Sequence, residues 1–224
     1  MYREFPCALC GAGCPDLICR GCDRDLPRLA TACNRCGLPS PSPVCVACQV
    51  RPPCWECLVV PYTFAYPIDK VIHEFKYFGS VFWGAFLARE MVRRGLASGT
   101  PLPEALVPVP AHPRRLADRG FNQAVELARG IGRELNIPVL TDKIARVGSH
   151  PQQVRLTANQ RRKNVHGAFA AAGRDAVTGR VAIVDDILTT GATAKEMAKV
   201  LLRSGANQIQ VWVVARTPKA LRPR

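Results

Sequence analysis

Apolar residues along most of this chain fall into two spacings that alternate. Residues 181–184 are an unbroken apolar run, V-A-I-V, rich in β-branched side chains. An apolar strand without alternation suits a parallel sheet covered on both faces. Beyond it, Ala194, Met197, Ala198, Leu201 and Leu202 recur at i, i+3, i+4, i+7 and i+8, one stripe of a helix. Upstream, residues 106–110 (L-V-P-V-P) predict a short strand stopped by prolines. A helix follows, with Ala124, Leu127, Ala128, Ile131 and Leu135 on one face. Val71, Phe75 and Phe78, then Phe82, Phe86 and Met91, predict two helices broken at Gly79. Residues 58–66, 139–147 and 209–215 are further candidate strands. Strands interleaved with helices predict an α/β domain on a doubly wound parallel sheet.

The head of the chain follows neither spacing. It is Pro-rich, poor in large aliphatic side chains, and holds all eleven cysteines. Ten form C-x-x-C pairs: Cys7/Cys10, Cys19/Cys22, Cys33/Cys36, Cys45/Cys48 and Cys54/Cys57; Cys14 is the odd one. The N-terminus lacks an apolar signal core, and no apolar run is long enough to span a bilayer, so a cytoplasmic protein with no membrane span is expected. In that setting paired C-x-x-C reads as metal ligation rather than disulfide. Two thiolates two residues apart chelate one tetrahedral ion, and a second pair closes the site. C-A-L-C-G and C-N-R-C-G are matching knuckles, each followed by a C-x-x-C beginning twelve residues after the knuckle began. The repeat predicts Cys7, Cys10, Cys19 and Cys22 around one zinc, and Cys33, Cys36, Cys45 and Cys48 around another. A cross-braced pairing and a single zinc with idle thiols are the alternatives. The head holds no His, and a four-Cys site leaves no open position for water, so the zinc is expected to be structural. The expected division is a cysteine-rich, double zinc ribbon-like region at residues 1–58 and the α/β domain at residues 59–224.

The candidate chemistry lies where the V-A-I-V run ends. Asp185 and Asp186 come first, then Thr189, Thr190, Gly191, Ala192 and Thr193. These five residues are small, so their N–H groups can converge on one point, and a helix N-terminus adds unpaired donors and partial positive charge. That is an anion site, and phosphate suits it. Carboxylates beside a phosphate cradle make sense if they accept from sugar hydroxyls or help hold a divalent cation. A ribose 5-phosphate fits both demands. The bland alternative is the acidic strand end of another α/β fold, such as a magnesium pocket. No G-x-x-x-x-G-K-[ST] occurs, and the G-x-G at Gly130 and Gly132 lies inside a helical pattern, so neither a P-loop nor a dinucleotide fingerprint is present.

Charge adds a second theme. The net charge is +14. The excess lies beyond the head, since residues 1–60 hold six basic and five acidic groups. Either the genome uses Arg freely or the partner is a polyanion, whether phosphorylated small molecules or nucleic acid. After L-V-P-V-P comes A-H-P-R-R-L-A-D-R-G-F-N-Q, where Arg114, Arg115 and Arg119 cluster at a strand end and Asn122 and Gln123 open a helix. A second anion site there is what a pyrophosphate would require, with Val109, Pro110 and Arg114 facing it. Lys76, in H-E-F-K-Y-F-G, is either a solvated helix lysine or a further cation on that side. The long basic stretch after Val147 carries Arg155, Arg161, Arg162 and Lys163. A basic loop of this length could close over a diphosphate and steady leaving-group charge, with Arg161 and Arg119 as the candidate catalytic groups, or it could bind a nucleic-acid backbone. His150 and His166 are read as bystanders.

The run V-x-x-V-D-D-x-x-T-T-G-x-T resembles the phosphoribosyl pyrophosphate motif of type I phosphoribosyltransferases. By that likeness Asp185 and Asp186 hold the ribose 2- and 3-hydroxyls, and Thr189, Thr190, Gly191, Ala192 and Thr193 hold the 5-phosphate. Taken with the four Cys knuckles, V-P-V-P, R-G-F-N-Q, Q-x-x-L at Gln153 and Leu156, and Arg161 with Asn164, the chain resembles the ComF family (ComFC/GntX-like) over nearly its whole length. The fifth Cys pair departs from the pattern. The resemblance implies a type I phosphoribosyltransferase-like domain behind a zinc-binding head, with phosphoribosyl pyrophosphate and magnesium as ligands. It also implies a link to natural transformation, to single-stranded DNA, and to a competence or helicase partner protein. Two functions follow: a phosphoribosyltransferase of unread acceptor, or a non-enzymatic nucleic-acid-binding or regulatory protein reusing the fold.

Overall fold

The apolar runs become strands of one parallel sheet. The computed structural model describes residues 5–147, 167–173 and 176–218. In the head, β1 (Phe5–Pro6) and β2 (Gly13–Cys14) form an antiparallel ribbon, followed by the short helices α1 (Arg20–Arg24) and α2 (Val46–Val50). Then come β3 (Cys57–Val59), β4 (Tyr62–Thr63), α3 (Ile68–Phe78), α4 (Val81–Ala97) and β5 (Ala105–Pro108). The chain continues through α5 (Pro113–Arg119), α6 (Gln123–Leu135), β6 (Ile144–Arg146) and β7 (Phe169–Ala171). It closes with β8 (Arg180–Leu188), α7 (Ala192–Arg203) and β9 (Gln208–Arg216).

The main sheet has the order β3-β9-β8-β5, every pairing parallel, and β4 pairs β9 farther along. β8 and β9 are its centre. Alternate β8 residues feed two cores: Ala182 and Val184 pack with Leu87, Met91, Leu127 and Ile131 of α4 and α6. Val181 and Ile183 pack with Met197, Ala198 and Leu201 of α7. Burial on both faces is why the strand carries no polar alternation. The sheet is therefore doubly wound, as expected. The helix broken at Gly79, the helix opened by Asn122 and the last strand also form where the sequence places them.

Several expectations need correction. The strand expected at residues 58–66 is interrupted: β3 and β4 keep one register on β9, but Pro61 between them has no N–H to give the ladder. Residues 139–147 do not form one strand. Val139 makes a single parallel bridge to Leu106, and β6 turns away to pair antiparallel with β7. The segment after L-V-P-V-P, where the sequence puts the arginines at a strand end, is the seven-residue helix α5, with Pro113 in its first turn and His112 capping through Nδ1. The strand does not stop with the V-A-I-V run, before Asp185 and Asp186. They stay extended within β8 because β9 is long enough to pair past them, to Ile187↔Ala215 and Leu188↔Arg216. Phe82 and Leu202 lie at the margins of their stripes and are exposed.

The head is packed onto the body. Cys7, Cys14, Ile18 and Leu26 join the same core as Tyr62, Ile68 and Val71. Arg28 bridges Asp23 and Glu90 of α4 at 2.6 Å each, and the buried Tyr62 hydroxyl donates to Glu90 at 2.5 Å. Burial and the Glu90 carboxylate both push the Tyr62 phenol up, so it stays a donor.

The two last leucines of α7 make a test of the layer assignment. Leu201→Ala is expected to destabilise by about 2–5 kcal/mol, since it empties a fully buried site. Leu202→Ala should stay within about 0.5 kcal/mol. Urea unfolding of the two variants measures the difference; equal losses would show that α7 is rotated from the position described.

Candidate functional site

β8 ends at the carboxyl edge of the sheet, where ligands of open α/β sheets sit. Adjacent strand residues point to opposite faces, and the two acids obey this. Asp186 is buried on the α3/α6 side, where Lys76 Nζ meets its Oδ2 at 2.5 Å and Gln123 Nε2 donates to the same oxygen at 3.4 Å. Burial works against the Asp186 charge, but the Lys76 ammonium outweighs it and holds the carboxyl below the usual range. Asp185 is half-buried beside the loop, and its Oδ1 accepts from the Asp186 N–H at 2.9 Å. Burial, and then the Asp186 charge, push its carboxyl well above the usual value.

The loop after β8 leaves backbone donors without loop or turn partners among the described residues. Gly191 is the N-cap of α7 at φ 75°, and a Cβ there would press on the Trp55 ring at 3.3 Å. Both facts demand glycine. Ala192 N–H reaches Thr190 Oγ1 at 3.4 Å. Among the described residues, the N–H groups of Thr189, Thr190 and Gly191 donate to no hydrogen bond outside helices and strands. A cleft lined by Asp185, Thr189, Gly191, Ala192 and Thr193, with Val109 at its edge, opens at this point.

The other candidates divide. Lys76 reaches Asp186 directly, and Arg119 reaches it only through Gln123. Arg119 Nη1 donates to Gln123 Oε1 at 3.2 Å, its guanidinium lies 4.9 Å over the Tyr77 ring, and Gln123 leads on to Asp186. Lys76 is therefore an ion-pair partner of Asp186, not a solvated helix lysine. Val109 is locked by backbone, its N–H on Val184 O at 2.9 Å and its carbonyl on Asn122 Nδ2 at 3.0 Å. Pro110 lies beside it, half-buried, while Arg114 is exposed on α5. Arg161, with Arg155, Arg162 and Lys163, lies outside the described residues. Sequence reasoning missed Arg146: its Nε is buried without a hydrogen-bond partner among the described residues, and its guanidinium stacks 5.4 Å over Phe169. It also passed over Trp55, Tyr77 and Arg216. An isolated Arg or Trp carries no spacing signal, so only the fold could find them.

The head gathers its cysteines as the repeat predicts. The sulfurs of Cys7, Cys10, Cys19 and Cys22 lie within 4.8 Å of one another, as do those of Cys33, Cys36, Cys45 and Cys48. Cross-bracing is thereby excluded. Backbone N–H groups point at the sulfurs, Cys19 N to Cys7 Sγ at 3.2 Å and Cys45 N to Cys33 Sγ at 3.3 Å. Burial opposes ionisation of Cys7 and Cys33, yet these backbone donors bring each thiol down to about 6. Cys22 is pushed up, first by the Cys10 sulfur and then by burial. Burial and the Cys36 and Cys45 sulfurs do the same to Cys48. Four thiolates so placed need a cation between them, and the all-sulfur donor set suits a soft tetrahedral ion. Each cluster can hold a metal. Cys14, Cys54 and Cys57 belong to neither.

No family model matches the chain. Whole-chain relatives do. It is 36% identical over 207 residues to the DNA utilization protein YhgH of Salmonella typhi, covering 89% of this chain and 90% of that protein. It is also 36% identical over 208 residues to competence protein F of Haemophilus influenzae, again covering 89% and 90%. The chain belongs to the ComF family. Competence protein ComFC of Streptococcus pneumoniae is 25% identical over 202 residues, covering 89% and 87%. Among solved structures, the purine phosphoribosyltransferase of Pyrococcus horikoshii Ot3 matches 64% of this chain and 78% of its own, at 22% identity and TM-score 0.33. The adenine phosphoribosyltransferase of Leishmania tarentolae matches 57% and 54%, at 19% identity and TM-score 0.34. No helix among the described residues of this ComF family chain is long and apolar enough to cross a membrane.

The raised Asp185 carboxyl has a sign that can be checked. Its folded value lies above the unfolded one, so its contribution to stability is fully present below about pH 3.9 and is lost as pH rises through the folded value. Asp185→Asn keeps the oxygen that accepts from Asp186 N–H and removes the charge. It is expected to raise the denaturation midpoint at pH 7, with the gain vanishing below about pH 4. Urea melts of both proteins across that range test this; a gain independent of pH would refute it.

Proposed function

We propose that this ComF family chain binds phosphoribosyl pyrophosphate, with magnesium, in the cleft beyond β8, and that it serves the use of DNA taken into the cell. The observation that carries the reading is that a half-buried, charge-strained Asp185 lines one cleft with Thr189 and Gly191, beside the N–H groups of Thr189, Thr190 and Gly191, which make no loop or turn bond among the described residues. A 5-phosphate would take those amides and the N-terminal end of α7. A ribose hydroxyl would donate to Asp185, the acid that lines the cleft, and that donor relieves the repulsion there, while Asp186 stays on Lys76 behind it. The pyrophosphate would lie toward Val109, Pro110 and Arg114, within reach of Lys76 and Arg119. Bound magnesium would neutralise part of the diphosphate charge. In turnover, the bond from ribose C1 to the pyrophosphate oxygen breaks with its electron pair leaving on pyrophosphate, and a nucleophile bonds to C1. The residues' task is orientation and stabilisation of departing charge, with Arg119, and Arg161 from the long basic segment, assigned to the latter.

Zinc is the proposed ion in both clusters. The names of the relatives, DNA utilization protein and competence protein, support the second half of the proposal, with single-stranded DNA and a protein of the uptake machinery as partners. The charge of +14 favours a second reading, in which the fold binds nucleic acid without turnover.

The binding claim is tested by calorimetric titration of phosphoribosyl pyrophosphate with magnesium. Asp185→Asn/Asp186→Asn is expected to bind at least about tenfold more weakly than wild type, about 1.4 kcal/mol. Equal affinity in the two proteins would remove the site assignment. A turnover assay with labelled ligand and a panel of bases separates the enzyme from the binding protein.

A further inference from the structure

The two four-cysteine clusters meet the body in different places. The first lies against the α4 side of the sheet, through Cys7, Cys14 and Ile18 in that core and Arg28 on Glu90. The second lies directly under the ligand loop. Leu58 N–H donates to Asn34 O at 2.7 Å and Trp55 Nε1 to Arg35 O at 2.7 Å, so the knuckle is bonded to β3 and to the Trp55 side chain whose ring lies against Gly191. Gly37, at φ 67°, closes the knuckle with no room for a side chain, since a Cβ would stand 2.8 Å from Leu58 and 3.2 Å from Arg216.

Arg216 makes the direct link. It is the last residue of β9 and is buried. Its Nε donates to the Cys36 carbonyl at 2.7 Å, and its Nη1 to the carbonyls of Leu188 at 2.9 Å, Thr189 at 2.5 Å and Thr217 at 2.8 Å. One guanidinium thus joins the knuckle between Cys33 and Cys36 to the last residue of β8 and the first residue of the loop. Among the described residues it has no carboxylate partner. A buried cation needs negative charge nearby. Four thiolates around one divalent ion carry net negative charge, and Cys36 is the residue Arg216 touches.

We infer that metal in the second cluster sets the shape of the ligand loop, with Arg216 as the positioning residue that transmits the constraint from Cys36 to Leu188 and Thr189. With the ion present, the knuckle is rigid and the cluster charge balances Arg216. Without it, the Cys36 carbonyl is no longer held in place and the clustered thiolate charge is no longer fixed beside Arg216, so the loop carbonyls lose their common anchor. Among the described residues, the first cluster makes no such bond to the loop. The effect on affinity rests on the proposed phosphate role of the loop; the effect on loop order does not.

The test uses the full chain, with metal content by atomic emission, hydrogen exchange over residues 187–194, and calorimetric titration with ribose 5-phosphate. Cys48→Ser is expected to lose about one metal per chain, to speed loop exchange by about tenfold or more, and to weaken ribose 5-phosphate binding about tenfold. Cys22→Ser should also lose about one metal, with loop exchange changed by less than about twofold. Arg216→Lys keeps a cation but not the fork that reaches both sides. It should retain both metals and still speed loop exchange, which separates positioning from unfolding of the head. The inference falls if Arg216→Lys exchanges like wild type, or if the two cysteine variants disturb the loop equally. If wild type fails to bind ribose 5-phosphate, the phosphate reading fails alone, and the exchange comparison still decides the coupling.

Discussion

The parallel ladder between β8 and β9 is the constraint from which the rest of the molecule takes its position. It runs from Arg180↔Gln208 to Leu188↔Arg216 and is buried from both sides by different helices. Its length matters more than its composition. A shorter β9 would release Asp185 and Asp186 into a turn. As it stands, they are held extended, one to each face, and the loop begins at a fixed point over α7. The same ladder delivers Arg216 beside Leu188, so the strand that holds the acids in register also supplies the bond that ties the loop to the head.

Charge at the carboxyl edge is arranged at a cost. Two adjacent carboxylates in a poorly solvated site repel, and the fold resolves this by giving Lys76 to one and leaving the other strained. Asp186 is thereby a structural centre, gathering α3, β8 and α6 through Lys76 and Gln123. Asp185 is the acid left facing the cleft. Such asymmetry between neighbouring titratable groups is common where a site awaits a ligand. It also divides two roles that the sequence presents as equal.

The head has too little apolar surface to stand alone, and it solves this twice. Metal-ready sulfur clusters replace a core within each unit. Each unit then borrows the body's core, the first through Cys7, Cys14, Ile18 and Leu26, the second through Trp55. Arg28 on Glu90 and Arg216 on Cys36 fix the two contacts polar group by polar group. The head is thus continuous with the floor of the cleft rather than an appendage.

Periodicity and spacing alone determined a good part of this. The unbroken V-A-I-V run, the stripe from Ala194 to Leu201 and the C-x-x-C repeat each reflect local geometry: strand burial, helical pitch, and the bite of two thiolates on one ion. Local geometry is written in neighbouring residues, so it can be read from them. The acid pair, the small-residue loop and the two cysteine quartets were legible for that reason. What only the tertiary structure decided involves residues far apart in the chain. Lys76 finds Asp186 across 110 positions, and Arg216 finds Cys36 across 180. Whether the two acids share one role, how far β8 continues, and which metal cluster touches the loop all depend on where separate elements pack. Packing is set by the summed burial of whole faces, which no short motif records.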